Sequence, residues 1–148
     1  TRPKNLELII KWREMWINFI VDYAQQKNIH LINKNDLRQE HPFNKMDQLA
    51  FEDVVNALVE SGYAKWWDKD KQQLRIYWRS LEQWAEQLFK IAKEKQKNVI
   101  TGVSGILELE PKLTIMPKKD IEEIIKIMVE RGFARWIDRK TQALRLVI

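Results

Sequence analysis

The sequence predicts an α+β protein, mainly helical and built from two copies of one unit, and three observations carry that reading. Residues 51–78 align without a gap on residues 121–148, at a constant offset of 70. Identical pairs include Glu52 and Glu122, Gly62 and Gly132, Ala64 and Ala134, Trp66 and Trp136, Asp68 and Asp138, Leu74 and Leu144, and Arg75 and Arg145. Second, each copy opens with apolar residues at helical spacing: Phe51, Val54, Val55 and Leu58, then Ile121, Ile124, Ile125 and Met128. Third, a glycine follows each helix where a left-handed cap favours a residue without a side chain. Beyond it, aromatic and branched residues flank a polar tip, at 69–72 and 139–142, which is the pattern of a β-hairpin.

Upstream of each helix and hairpin lies a longer helix. The first carries a stripe of Leu6, Ile9, Trp12, Trp16, Ile20 and Tyr23, and the second carries Leu81, Trp84, Leu88 and Ile91. Short β-type segments follow near 29–32 and 99–101, and a middle helix is expected near 45–48 and 104–110. Helix, short strand, two helices and a two-stranded wing make the winged-helix arrangement. The expectation is therefore two tandem winged-helix domains, 1–78 and 79–148, joined at WRSLEQW (78–84) with no flexible linker between them.

Composition limits what such a chain can do. Of 148 residues, 45 % are hydrophobic and 32 % charged, as in ordinary folded proteins. The absence of cysteine removes disulfides, thiol nucleophiles and cysteine-ligated metals, which suits the cytoplasm. No apolar run is long enough to span a bilayer, and no signal-peptide pattern opens the chain. The first residue is Thr1 rather than Met, so a flanking segment is expected to be missing. His30 and His41 stand apart from any metal or triad spacing, and the adjacent Glu122 and Glu123 diverge on their helix. No glycine-rich phosphate loop is present. The expectation is a non-enzymatic protein with no catalytic residues, metal site or cofactor.

A winged helix invites a test for nucleic acid. With the apolar stripes inward, Asp53, Asn56 and Glu60 face outward on one candidate recognition helix, and Glu123, Lys126 and Glu130 on the other. Carboxylates aimed at phosphates are repelled, so nucleic acid is a poor partner for these faces. The net charge of +5 is concentrated instead at Lys90, Lys93, Lys95 and Lys97, a pattern that commonly marks a solvated helix end. Among seven tryptophans, Trp16, Trp66, Trp84 and Trp136 are expected in the core. Trp12 and Trp67 are less clearly inward and are candidate partner anchors on the first domain. On the second domain the candidate partner surface is Glu123, Lys126, Ile127, Glu130 and Arg139, with Ile127 at the edge of its helix's stripe. Asp68 with Arg75, and Asp138 with Arg145, are expected to pair across each wing.

These motifs together resemble the vacuolar protein sorting 25 family of ESCRT-II. The residues carrying the resemblance are WRSLEQW (78–84), VIT (99–101), Trp16 followed by INFIVDYA, and Pro42-Phe43-Asn44, in that family's order. The resemblance implies an adaptor that joins other ESCRT-II subunits through its first domain and an ESCRT-III initiating subunit through its second. It also implies work in endosomal sorting and membrane budding, in the cytoplasm, with peripheral membrane association through the complex. No Pro-Pro-x-aromatic motif precedes Trp16, and the segment between Asn44 and Leu49 lacks a Leu-Gln-Arg, which sets this chain apart from familiar members and suits a divergent eukaryotic or an archaeal source. The competing readings are a tandem winged-helix nucleic-acid or transcription-complex protein, and a purely structural subunit whose acidic helix faces pack inside a larger assembly.

Overall fold

The computed structural model describes residues 2–148. The chain divides into two compact units, one ending at Trp78 and the other running from Arg79 to Ile148. Each repeats one order of elements. In unit 1 these are α1 (Leu6–Lys27), β1 (Leu31–Asn33), α2 (Lys34–Gln39), α3 (Gln48–Glu60), β2 (Ala64–Trp66) and β3 (Gln73–Ile76). In unit 2 they are α4 (Leu81–Glu94), β4 (Val99–Thr101), α5 (Gly102–Leu109), α6 (Lys118–Glu130), β5 (Ala134–Asp138) and β6 (Ala143–Leu146). Each unit holds one antiparallel sheet, ordered β1-β3-β2 and β4-β6-β5. This is the expected winged-helix fold, mainly helical with two small sheets.

The local signals explain where elements start and stop. Asn5 caps α1 by accepting from the backbone N–H groups of Glu7 and Leu8, at 2.9 and 3.3 Å. Ser80 and Gln83 form a reciprocal capping box at the start of α4. Gly62 and Gly132 follow α3 and α6 with φ of +86° and +79°, a conformation that penalises any side chain. In the wings, Asp68 does not pair with Arg75. Its carboxylate accepts from the backbone N–H of Gln73 and Gln72 at 2.8 and 2.9 Å, which holds its pKa below the usual range and ties the turn. Asp138 plays the same part, accepting from Lys140 N–H at 3.0 Å. The expected carboxylate–arginine pairs are thus replaced by side-chain caps of the turn backbone, which a short polar loop needs more.

The middle helix is also displaced from expectation in unit 1. It follows β1 at once, over Lys34–Gln39, where Asn33 caps it through Asn35 N–H at 2.8 Å. Residues 45–47 instead lead from a short 3-10 turn (Phe43–Lys45) into α3, which begins at Gln48, and the second-unit counterpart of the middle helix, α5, overlaps the expected 104–110.

In unit 1 the core forms where α1 and α3 close over the sheet. Ile17, Ile20 and Ala24 of α1 meet Phe43, Phe51, Val54, Val55, Leu58, Leu74 and Ile76. In unit 2, Trp84, Ala85, Leu88 and Ala92 of α4 are buried, as are Ile121, Ile124, Ile125 and Met128 of α6. Of the tryptophans expected inside, Trp84 is buried, whereas Trp16, Trp66 and Trp136 are half-buried. The two long helices repeat as well, at an offset of 68 fixed by matching exits. Ile29 N–H bonds to Ala24 O and Lys97 N–H to Ala92 O, both at 2.8 Å, after left-handed Asn28 and Gln96. Trp16 then matches Trp84, Ile20 matches Leu88, and Ala24 matches Ala92.

Two expectations follow from the core. Leu58 has no exposed surface, so Leu58→Ala should cost about 2–5 kcal/mol, read as a fall in the denaturation midpoint. His30 is buried, stacks on Trp78 at 5.2 Å and sets Nε2 3.2 Å from Asn28 Oδ1. Burial first, and the nearby Arg75 second, push its pKa down to about 4 from the ordinary 6.5. The imidazole stays neutral in the fold, while the unfolded chain takes up a proton below about pH 6.5. This contribution is therefore complete above about pH 6.5 and declines as pH falls towards about 4, by at most about 3 kcal/mol. Urea melts across that window should show a flatter pH dependence for His30→Gln than for the parent chain.

Candidate interaction surfaces

Helix α1 has more apolar residues than its core can use. Its inner face supplies Ile9, Ile17, Ile20 and Ala24. At about 100° per residue, Leu8, Trp12, Met15 and Phe19 fall on a second face, at the 4-3-4 spacing of helix seams. Leu8, Met15 and Phe19 remain 54, 55 and 42 % exposed. Unit 2 supplies the control. At the offset of 68, Met15 and Phe19 correspond to Gln83 and Gln87, and Trp12 to Ser80. The same helix of the same fold is therefore polar outside in unit 2 and apolar outside in unit 1.

A cleft of about 460 Å³ adjoins this face, lined by Arg2, Trp12, Trp16, Lys45, Met46, Asp47 and Ala50. Its walls are fixed. Arg38 donates to the carbonyl oxygens of Phe43 and Met46 and so holds the turn that forms one side. Phe43 packs on Trp16 and Phe19 with ring centroids at 5.6 and 5.8 Å. Among the described residues the Trp16 indole N–H, buried beside the cleft, has no acceptor.

Asp53 is not the free outward carboxylate expected on α3. Arg13 of α1 grips both its oxygens, Nε to Oδ1 at 2.7 Å and Nη2 to Oδ2 at 3.1 Å, and Arg2 bonds it too. The Arg13 hydrogen bonds hold the Asp53 pKa below the carboxylate range, and that contribution is lost as pH falls through the lowered value. The clamp locks α1 against α3 and leaves the apolar face of α1 turned away. Glu52 is engaged as well, with Lys34 at 3.5 Å.

The proposed anchors sort as follows. Trp12 is half-buried and lines the cleft. Trp67 is half-buried at the base of the wing, where its backbone N–H bonds to Gln73 O, and takes no part in the cleft. Glu123, Lys126 and Glu130 are exposed on α6, and Arg139 is exposed at the wing tip. Ile127 does not sit at an exposed edge: only 7 % of it is accessible, so it supports that face from beneath. Leu8, Met15 and Phe19 were not singled out by sequence reasoning, although the comparison with Gln83 and Gln87 contained the signal. Among the described residues no cluster of three His, Cys, Asp or Glu side chains could hold a metal ion, and no helix is long and apolar enough to cross a membrane.

Two winged-helix units, one with an uncovered apolar helix face, define a tandem winged-helix protein with a surface suited to protein partners. The chain belongs to the ESCRT-II complex subunit family, whose family model matches residues 1–112. It is 22 % identical over 107 residues to vacuolar protein-sorting-associated protein 25 of Xenopus laevis. That alignment takes in 68 % of this chain and 62 % of the relative, less than two thirds of the relative's length. The crystal structure of subunit VPS25 of the endosomal trafficking complex ESCRT-II matches with a TM-score of 0.72 at 21 % identity, covering 99 % of this chain and 92 % of that one. The crystal structure of endosomal complex ESCRT-II (VPS22/VPS25/VPS36) matches with a TM-score of 0.71 at 17 % identity and the same coverage. At these identities the structures speak for the shared fold.

Giving α1 the outer face that α4 carries should leave the fold intact. Met15→Gln with Phe19→Gln is expected to cost about 1–2 kcal/mol, because both side chains are exposed and only the contact of Phe19 with Phe43 and Trp16 is lost. The check is a thermal melt beside the parent chain, and a loss as large as that of Leu58→Ala would show that the face belongs to the core.

Proposed function

We propose that the chain is a non-enzymatic ESCRT-II adaptor subunit. Unit 1 docks onto other ESCRT-II subunits, and unit 2 engages an ESCRT-III initiating subunit in endosomal sorting and membrane budding. It works in the cytoplasm and reaches endosomal membranes through its complex. The observation that carries this reading is the difference between α1 and α4: the same helix is apolar outside in unit 1 and polar outside in unit 2. An apolar face of this kind is stable in water only at a cost that a partner removes. Membership of the ESCRT-II family and the structural likeness to subunit VPS25 support other ESCRT-II subunits as that partner. For unit 2 the proposed contact is the exposed set Glu123, Lys126, Glu130 and Arg139, a polar and mixed-charge surface of the kind that sets orientation and partner choice. The carboxylates on both third helices speak against a nucleic-acid groove as the target.

Binding tests separate the two halves. Met15→Gln with Phe19→Gln should weaken assembly with the other ESCRT-II subunits by about tenfold or more, as loss of interface anchors does. Lys126→Glu with Arg139→Glu should spare that assembly and weaken binding to an ESCRT-III initiating subunit. Unchanged affinity in the first case removes α1 as the docking face, and in the second removes the α6 and wing surface.

A further inference from the structure

The outer face of the unit 2 sheet has a row of side chains that none of the surfaces above uses. In register across the three strands stand Val99 of β4, Arg145 of β6 and Arg135 of β5. Their neighbours Ile100 and Leu144 turn the other way and are buried. Both arginines are exposed, and among the described residues neither has a salt bridge or a side-chain hydrogen bond. Like charges directly opposite each other on one sheet face are unfavourable, and nothing in the unit offsets them. Val147, two residues beyond Arg145, shares its face; Val99 and Val147 are each 43 % exposed, and Ile148 is more so. Lys97 is exposed two residues before Val99. No carboxylate enters the row. Asp138 is turned into its own wing, and Glu108 lines the cleft at the β4 edge with Lys97 and Val99, at the end of the row away from Arg135.

The corresponding row of unit 1 is Leu31, Arg75 and Lys65. There Arg75 is fully buried, lies over the Tyr77 ring at 4.3 Å and donates to the carbonyl oxygens of His30 and Ile76. The repeated arginine is thus enclosed in unit 1 and left open to solvent in unit 2.

We propose that this face of unit 2 is a direct membrane contact that sits on anionic lipid headgroups. Charge complementarity selects the occupant. Two adjacent guanidinium forks without a carboxylate match phosphate and carboxylate oxygens presented on a plane. The flanking Val99, Val147 and Ile148 are aliphatic, and the aromatic ring beside Val147, that of Phe133, is half-buried in a stack on Phe89 at 4.8 Å rather than held out as the kind of anchor that dominates protein interfaces. Arginine stems lie along such aliphatic surface while their heads reach the headgroups. So few cations bind weakly alone, and the contact gains strength when the chain is one of several membrane-touching parts of a complex.

The test is sedimentation of the full chain with phosphatidylcholine vesicles, with and without about 30 % phosphatidylserine, at about 0.05 M and about 0.2 M salt. Binding is expected with the anionic vesicles only, falling with salt, and falling tenfold or more in Arg135→Glu with Arg145→Glu. Arg135→Gln with Arg145→Gln should move it the same way by less, and both variants should melt with the parent chain because the side chains are exposed. No binding to anionic vesicles at low salt, equal binding to both vesicle types, or binding indifferent to both arginine variants overturns the proposal. So does capture of soluble polyglutamate or a DNA duplex by this face that anionic vesicles fail to displace, which would assign it to an acidic protein segment or to nucleic acid.

Discussion

A helix in a unit of this size has one face to bury, and that constraint organises both halves of the chain. Ile17, Ile20 and Ala24 in α1, and Ala85, Leu88 and Ala92 in α4, use that face up against the third helix and the sheet. The sheets are only three strands wide and cover little more than this stripe. Apolar residues beside that stripe are only partly covered, as Trp12, Trp16 and Tyr23 are on α1 and Phe89 is on α4, and those further round the helix face water. In α4 the positions that match Met15 and Phe19 are Gln83 and Gln87, which leaves no apolar seam there. On α1 Leu8, Met15 and Phe19 are exposed instead, so unit 1 is folded but has an apolar surface still in water.

The two units repeat one framework and differ in their surfaces. Equivalent positions keep the residues that hold the fold and differ where the surfaces differ. Gly62 and Gly132 share the left-handed backbone that ends the third helix, and Asp68 and Asp138 both cap wing turns. Arg75 and Arg145 are identical in sequence yet opposite in circumstance, one enclosed over an aromatic ring and the other open to solvent. The Arg13 clamp on Asp53 has no counterpart at Leu81, the residue of α4 that matches Arg13. The two units differ at their surfaces through such positions.

Much of the architecture was legible because its signals are local. Helical spacing, the glycine stops and the hairpin tips each act over a few residues, and they located the third helices and wings closely. The short middle helix of unit 1 was misplaced because six residues carry too little periodicity, and its real signal was the Asn33 cap straight after β1. The repeat of the first helices, Trp16 with Trp84, escaped because its offset is 68 rather than 70, the difference lying in the connections between elements. Asp53 and Ile127 were misjudged for one reason. A helical stripe says which side faces the core, but whether an edge position is covered depends on a neighbouring element, here Arg13 for Asp53. The apolar outer face of α1 could have been read from the sequence only by contrast with α4, and that contrast needed the correct offset.

Under the proposed function a partner subunit covers the apolar face of α1. Hydroxyl-radical footprinting of the chain, alone and assembled with the other ESCRT-II subunits, measures this directly, because Met15 and Phe19 are reactive and exposed. The account expects strong labelling of both in the free chain and loss of it on assembly, while Lys126 and Ile137 in unit 2 keep theirs. Undiminished labelling of Met15 and Phe19 in the assembled complex would contradict it.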